Sequence, residues 1–190
     1  MKQVSYSFSK VFLAIALLFL MTRTFAYEEA AYKTVFQSDK FDVRFYEERL
    51  VIQTKYANQN GGFRKLFNYI SGSNEGSQEI SMTIPVTQSK SGDGMIMQFY
   101  LPSSFDELNA PSPDDNSLEI SSIDEGHYAA IRFSGRSTEK NFTKYSETLK
   151  KDLERENILI IGPAIKATYN GPLTLPLFRR NESMFLVDWE

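Results

Sequence analysis

Residues Gly62 to Gln88 read GFRKLFNYISGSNEGSQEISMTIPVTQ, and the change of period inside this stretch sets the fold. Phe63, Leu66, Phe67 and Ile70 recur at i, i+3, i+4 and i+7, which is one face of a short helix ending near Ser71-Gly72. From Ile80 to Thr87 the pattern becomes strand-like, and Met95 to Leu101 follows as a second strand after the turn Ser89 to Gly94. Upstream, Phe41 to Phe45 and Leu50 to Tyr56 read as two strands around the polar Glu47-Glu48-Arg49, so a hairpin is expected there. The first half is therefore ββαββ.

The second half repeats that order. Leu118 to Ile123 and His127 to Phe133 are strand candidates, and a helix is predicted from about Thr138 to Glu156, with Phe142, Tyr145, Leu149 and Leu153 on one stripe. Ala164 to Tyr169 and Met184 to Trp189 complete the second ββαββ, while the loop Asn109 to Asn116 bridges the halves. Matching element order predicts an α+β fold of two pseudo-repeats about a pseudo-twofold axis, its antiparallel sheet curling towards a distorted barrel with two main helices. Such an arrangement leaves a groove beside a helix. A shaped pocket for a small molecule is the first functional expectation, because neither Gly62 to Gln88 nor YNGPLTLPLFRRNE, Tyr169 to Glu182, has the residues of a triad or metal cage.

The first twenty-six residues stand apart from the fold. Lys2 and Lys10 precede the apolar run Val11 to Met21, and Thr24-Phe25-Ala26 supplies a cleavage site before Tyr27, the pattern of a secretory signal. The run is shorter than the ~20 residues that span a bilayer, so a periplasmic or secreted protein without stable membrane insertion is expected. Residues 27–190 are then one domain, of a size that carries its own core. Removing Lys2, Lys10 and Arg23 leaves 18 basic against 24 acidic side chains, and no long basic cluster remains to neutralise phosphates, so nucleic acid is not expected as a partner.

The absence of cysteine excludes thiol nucleophiles and covalent c-type haem, and with one histidine, His127, the residues for a zinc site are missing too. No Gly-x-Ser-x-Gly elbow accompanies that histidine, which removes the usual serine hydrolase. What remains for an enzyme is carboxylate chemistry in the groove, with Glu182 or Glu79 as the group. The other alternative is an interaction module whose groove is filled by its own side chains.

Five segments in order resemble the SOUL haem-binding protein family: Phe41 to Tyr46, Gly62 to Asn74, Met82-Thr83-Ile84-Pro85-Val86, Phe133-Ser134-Gly135 and Arg179-Arg180-Asn181-Glu182. They span nearly all of the chain beyond the signal. The resemblance implies a distorted eight-stranded antiparallel barrel or sheet with two helices, and non-covalent binding of haem or another hydrophobic tetrapyrrole by a protein that is not an enzyme. It maps the pocket onto Phe63, Leu66, Phe67 and Ile70 of the first helix, with Met82 on the next strand. Some relatives are thought to ligate iron through a histidine in the first strand, at the position of Phe45 here, so the haem expected is one without that axial protein ligand. Ser183 also departs from the apolar residue that usually follows the Asn-Glu pair. Arg64, Lys65, Arg179 and Arg180 are candidates to meet propionates; solvation, or pairing with Glu182, is their ordinary alternative.

Overall fold

A computed structural model describes residues 27–56 and 59–189; the expected signal segment, residues 1–26, lies outside the described residues. In chain order the first half runs β1 (Glu28–Glu29), β2 (Lys33–Gln37), β3 (Asp42–Tyr46), β4 (Arg49–Tyr56), α1 (Gln59–Ile70), β5 (Thr83–Ile84), β6 (Val86–Ser91) and β7 (Gly94–Tyr100). The second half runs β8 (Leu118–Ile123), β9 (Gly126–Phe133), α2 (Glu139–Arg155), β10 (Leu159–Ile160), β11 (Ile165–Thr168) and β12 (Asn181–Asp188).

One ten-stranded antiparallel sheet takes the order β2-β3-β9-β12-β11-β6-β7-β4-β8, with β10 added beside β12. Assigning β3, β4, α1, β6 and β7 to one repeat and β8, β9, α2, β11 and β12 to the other makes this order symmetric. It reads first strand, then second, fourth and third of the other repeat, and mirrors itself across the β11–β6 pair. Each repeat thus gives its first strand to the sheet of its twin, which locks the two halves together. The segments β1, β2 and β10 lie outside the repeats; their shortness and mixed composition gave no periodic signal.

The expected hairpin between β3 and β4 does not form. β3 pairs with β9 and β4 with β8, in one register on both sides of a corner: Tyr46 lies opposite Gly126, and Arg49 opposite Ile123. The two segments 42–54 and 118–130 are therefore one long antiparallel ladder, bent at residues 47–48 and 124–125. Because β3 continues into β4 and β8 into β9, the sheet returns on itself as a distorted eight-stranded barrel with β2 and β10 appended. A two-residue hairpin needs a left-handed central residue, which Glu47-Glu48 does not provide, whereas Gly92 at φ 58° supplies it between β6 and β7. The single strand expected over Ile80 to Thr87 is likewise divided into β5 and β6 on either side of a cis Ile84–Pro85 peptide.

The helices cover the outer face. Leu66, Tyr69 and Ile70 of α1 pack on Ile52, Met97 and Phe99, while Leu149 and Leu153 of α2 pack on Val43, Ala129 and Phe185. Local chemistry fixes the helix ends. After α1, Gly72 at φ 104° turns the chain, and the buried Asn74 side chain donates to the Tyr69 and Gln78 carbonyls and accepts from the Gln78 amide. Thr138 caps α2 by accepting from the Asn141 amide, and Asn157 at φ 57° ends it. Alternate residues of β3, β9, β11 and β12 point the other way and form the inner face, where Tyr46, Tyr128, Ala130, Ala167, Tyr169 and Met184 cluster. No helix among the described residues is long and apolar enough to cross a membrane.

Candidate functional site

The inner face around Glu182, the outer face of α1 and a cavity at the corner of the long ladder each carry polar or open chemistry.

At the inner face β12 directs Glu182 towards β3, and the carboxylate is completely buried. Arg44 meets it in a fork, with Nη1 donating to Oε2 at 2.7 Å and Nη2 to Oε1 at 3.2 Å. Tyr169 Oη donates to Oε2 at 2.8 Å and Arg180 Nε to Oε1 at 2.9 Å. Both guanidiniums reach further carboxylates: Arg44 Nε to Asp42 at 2.6 Å, and Arg180 Nη1 to Glu29 at 2.9 Å. Burial alone would raise the Glu182 carboxyl, but the bonds and charge of Arg44, with Arg180 and Tyr169, outweigh it and hold the group below its ordinary value. Burial and the Glu182 charge push the Tyr169 hydroxyl far above the tyrosine range. With four donors on two oxygens, Glu182 has no open lone pair for a substrate, which removes the feature on which a carboxylate hydrolase would depend. Glu79, the other candidate, is exposed.

The outer face of α1 is divided. Leu66 and Ile70 are in the core, and half-buried Met82 packs against the same cluster. Phe63 and Phe67 remain 44% and 48% exposed, their rings nearly parallel at 13° with centroids 6.1 Å apart. Phe63 is braced from below by an edge contact to Phe99 at 5.3 Å. The structure therefore brings two of the five mapped residues to the surface as an aromatic shelf and keeps the other three beneath it. Arg64 is exposed beside the shelf, whereas Lys65 donates to Ser117 Oγ at 2.6 Å.

The third region is a cavity of about 740 Å³ at the ladder corner, roofed by residues 28–33 and walled in part by Phe45, Arg49, Leu50, Tyr100, Leu101 and Phe105, of which Leu50, Leu101 and Phe105 also pack in the core cluster beneath α1. None of the mapped residues Phe63, Leu66, Phe67, Ile70 or Met82 lines it. The roof was invisible to periodicity because β1 holds by only two residues, paired in parallel with β5, and by the Arg180–Glu29 contact.

The sequence matches the family described as SOUL heme-binding protein over residues 27–186. The chain belongs to the SOUL family. No curated protein matches it. Among solved structures, an uncharacterized conserved protein from Listeria innocua is similar with a TM-score of 0.61 at 9% identity, covering 78% of this chain and 92% of that one. A protein described as a hydrolase from Listeria innocua gives 0.59 at 9% identity, covering 81% and 94%. The C-terminal domain of EcmrR gives 0.55 at 12% identity, covering 83% and 98%. At these identities the likeness is one of fold.

Phe45 lines the cavity and packs against His127, which stands opposite it on β9 with ring centroids 5.1 Å apart. Among the described residues no group of three His, Cys, Asp or Glu side chains converges as a metal site. Arg180 is engaged by Glu182 and Glu29, and Arg179 by the Thr174 and Pro172 carbonyls, which leaves Arg64 as the cation available beside the shelf. Ser183, the other departure, is fully buried with its Oγ 2.8 Å from Ser146 Oγ of α2. A buried serine opposite a helix serine is a signal that sequence order alone did not join. In the segment Tyr169 to Glu182, Leu173, Leu175, Leu177 and Phe178 are all largely exposed.

Proposed function

We propose that this SOUL-family protein binds haem or a related tetrapyrrole non-covalently and reversibly, and carries or buffers it in the periplasm or after secretion. The observation that carries the reading is the exposed, near-parallel pair Phe63 and Phe67, because large rings left open on an otherwise packed helix favour stacking with a flat aromatic guest. Leu66, Ile70 and Met82 belong to the core on which α1 rests and would not touch the guest. Arg64 is placed to meet a propionate. The group would bring its own redox and light-absorbing chemistry; the chain supplies an apolar platform and a cation.

Covering about 400 Å² of apolar macrocycle at ~25 cal/mol per Å² contributes about 10 kcal/mol gross. Association costs about 4–15 kcal/mol, so binding without an iron bond is micromolar at best, as suits a carrier that must release its cargo. The test is a hemin titration of protein recovered from the exported fraction, whose intact mass should begin at Tyr27. A saturable Soret shift that disappears in Phe63→Asp and Phe67→Asp supports the proposal. A signal that never saturates and ignores both substitutions would refute tetrapyrrole binding at the shelf, and a mass beginning at Met1 would refute export with cleavage.

A further inference from the structure

Three arginines reach the inner face, and they are not treated alike. Arg44 and Arg180 each hold carboxylates. Arg49, at the corner of the ladder, has no carboxylate within ion-pair distance among the described residues, and its Nε and Nη2 are buried without an acceptor. Instead its guanidinium lies against three tyrosine rings, 4.4 Å from the centroid of Tyr46, 4.9 Å from Tyr128 and 5.5 Å from Tyr100. The π-faces stabilise the charge and hold the planar group in place, but they do not use its in-plane donors. A buried donor without an acceptor costs free energy, so a fixed guanidinium of this kind is primed for an anion.

Arg49 also forms part of the wall of the cavity of about 740 Å³, a volume suited to a small organic ligand. Leu50, Leu101 and Phe105 give that cavity an apolar side. Its other charges restrict the guest. Glu29 is engaged by Arg180, and Glu28 accepts from the Ser103 amide at 2.7 Å, but Glu47 and Glu48 are exposed at the corner and present negative charge there. Lys33, exposed at the end of the roof, offsets part of that repulsion, which leaves Arg49 as the buried anchor for an acidic head.

We infer that this cavity is a second binding site, distinct from the aromatic shelf, for a small amphipathic organic anion: an organic acid with its head on Arg49 and its apolar body against Leu50, Leu101 and Phe105. The roof of residues 28–33 closes over the body of the guest.

The probes are 1-anilinonaphthalene-8-sulfonate and the uncharged N-phenyl-1-naphthylamine, both followed by fluorescence on the purified protein. One saturable site for the sulfonate is expected. Arg49→Met should weaken the sulfonate about ten- to a hundredfold, the loss of a charge-assisted fork, and leave the uncharged probe unchanged. Octanoate should displace the sulfonate from the native protein, whereas octanamide should not. Ala31→Trp, at an exposed roof position facing the cavity, should block both probes, and this arm with the octanoate series decides the matter even where Arg49→Met fails to fold. Sulfonate binding that is unchanged in Arg49→Met and Ala31→Trp but lost in Phe67→Asp would overturn the inference, since the probe would then sit on the shelf. Equal displacement by octanoate and octanamide would overturn it as well. Hemin titrated against the same variants keeps the two sites distinguishable: the tetrapyrrole reading fails or stands on Phe63 and Phe67, this one on Arg49 and Ala31.

Discussion

The inner face at Glu182 and the outer face of α1 spend their side chains in opposite ways. Around Glu182 both carboxylate oxygens have two donors each, and the partners come from β3 and from both ends of the segment between β11 and β12. On α1 two phenylalanines, the residue type that gains most from burial, are left half in solvent, although Leu66 between them is fully buried. The pseudo-twofold twin of α1 makes the contrast sharper. On α2 the outward positions include Lys140, Lys144, Glu147, Lys150, Lys151 and Glu154, and Tyr145 is turned in to stack on Phe133 at 4.2 Å. Where the fold alone is served, the helix surface is charged and the polar interior is closed; the half-open rings on α1 depart from that pattern.

The largest effect should come from breaking the closed side. Arg44→Met leaves Glu182 buried with its main partner gone, and removal of one member of a buried pair costs about 3–5 kcal/mol. Urea unfolding at neutral pH measures it, and a change under 1 kcal/mol would show that the cluster is not holding the sheet. Acid gives the same test a second reading. The folded-state pKa of Glu182 is depressed, so its contribution is fully present above the unfolded carboxylate value near ~4.3 and declines as pH falls through the folded value. Native stability should therefore fall on acidification below about pH 4. In Arg44→Met that dependence should shrink or reverse, because burial then favours the protonated acid.

A medium effect separates the two kinds of residue on α1. Leu66→Ala should cost about 2–5 kcal/mol, the range for a truncated core leucine. Phe67→Ala, one residue away in sequence, should cost less than about 1 kcal/mol, since the ring is already 48% exposed. Two similar losses in thermal or urea unfolding would mean that Phe67 is a core residue and would remove the physical reason for calling the face open.

This contrast also marks how far the sequence could be read. The i, i+3, i+4, i+7 pattern of Phe63, Leu66, Phe67 and Ile70 located the helix and its buried side. It did not tell which of the four lie at the edge of the stripe, because that depends on how α1 tilts on β4 and β7. Arg180 directly precedes β12 and stands two residues from Glu182, a spacing that puts both side chains on one face of an extended chain and made their pairing legible. Arg44 is 138 residues from Glu182, and only the crossed pairing of β3 with β9 and β9 with β12 brings it there. The ladder corner was misread for a related reason: a polar break between two apolar runs looks alike whether the chain folds back or merely bends, and the deciding partner lies at residues 118–130. Arg49 and its cavity belong to that corner, so neither could be foreseen from a hairpin.

The smallest effect tests whether the closed interior extends to the helix-covered side. Ser183 Oγ lies 2.8 Å from Ser146 Oγ, and Ser146 also donates to the Phe142 carbonyl at 2.9 Å, so the pair is satisfied within a core that is otherwise apolar. Ser183→Ala removes one hydrogen bond but leaves Ser146 its bond to the helix, so the cost should be about 0.5–1.5 kcal/mol. Ser146→Ala strands the Ser183 hydroxyl in the core and should cost more, about 1–3 kcal/mol. The double alanine variant replaces both partners and should lie nearer the wild type than the two single losses added together. Additive losses across that cycle, measured by urea unfolding, would show that the two hydroxyls do not interact, and that the serine after Asn181-Glu182 is tolerated on the sheet rather than matched to the helix above it.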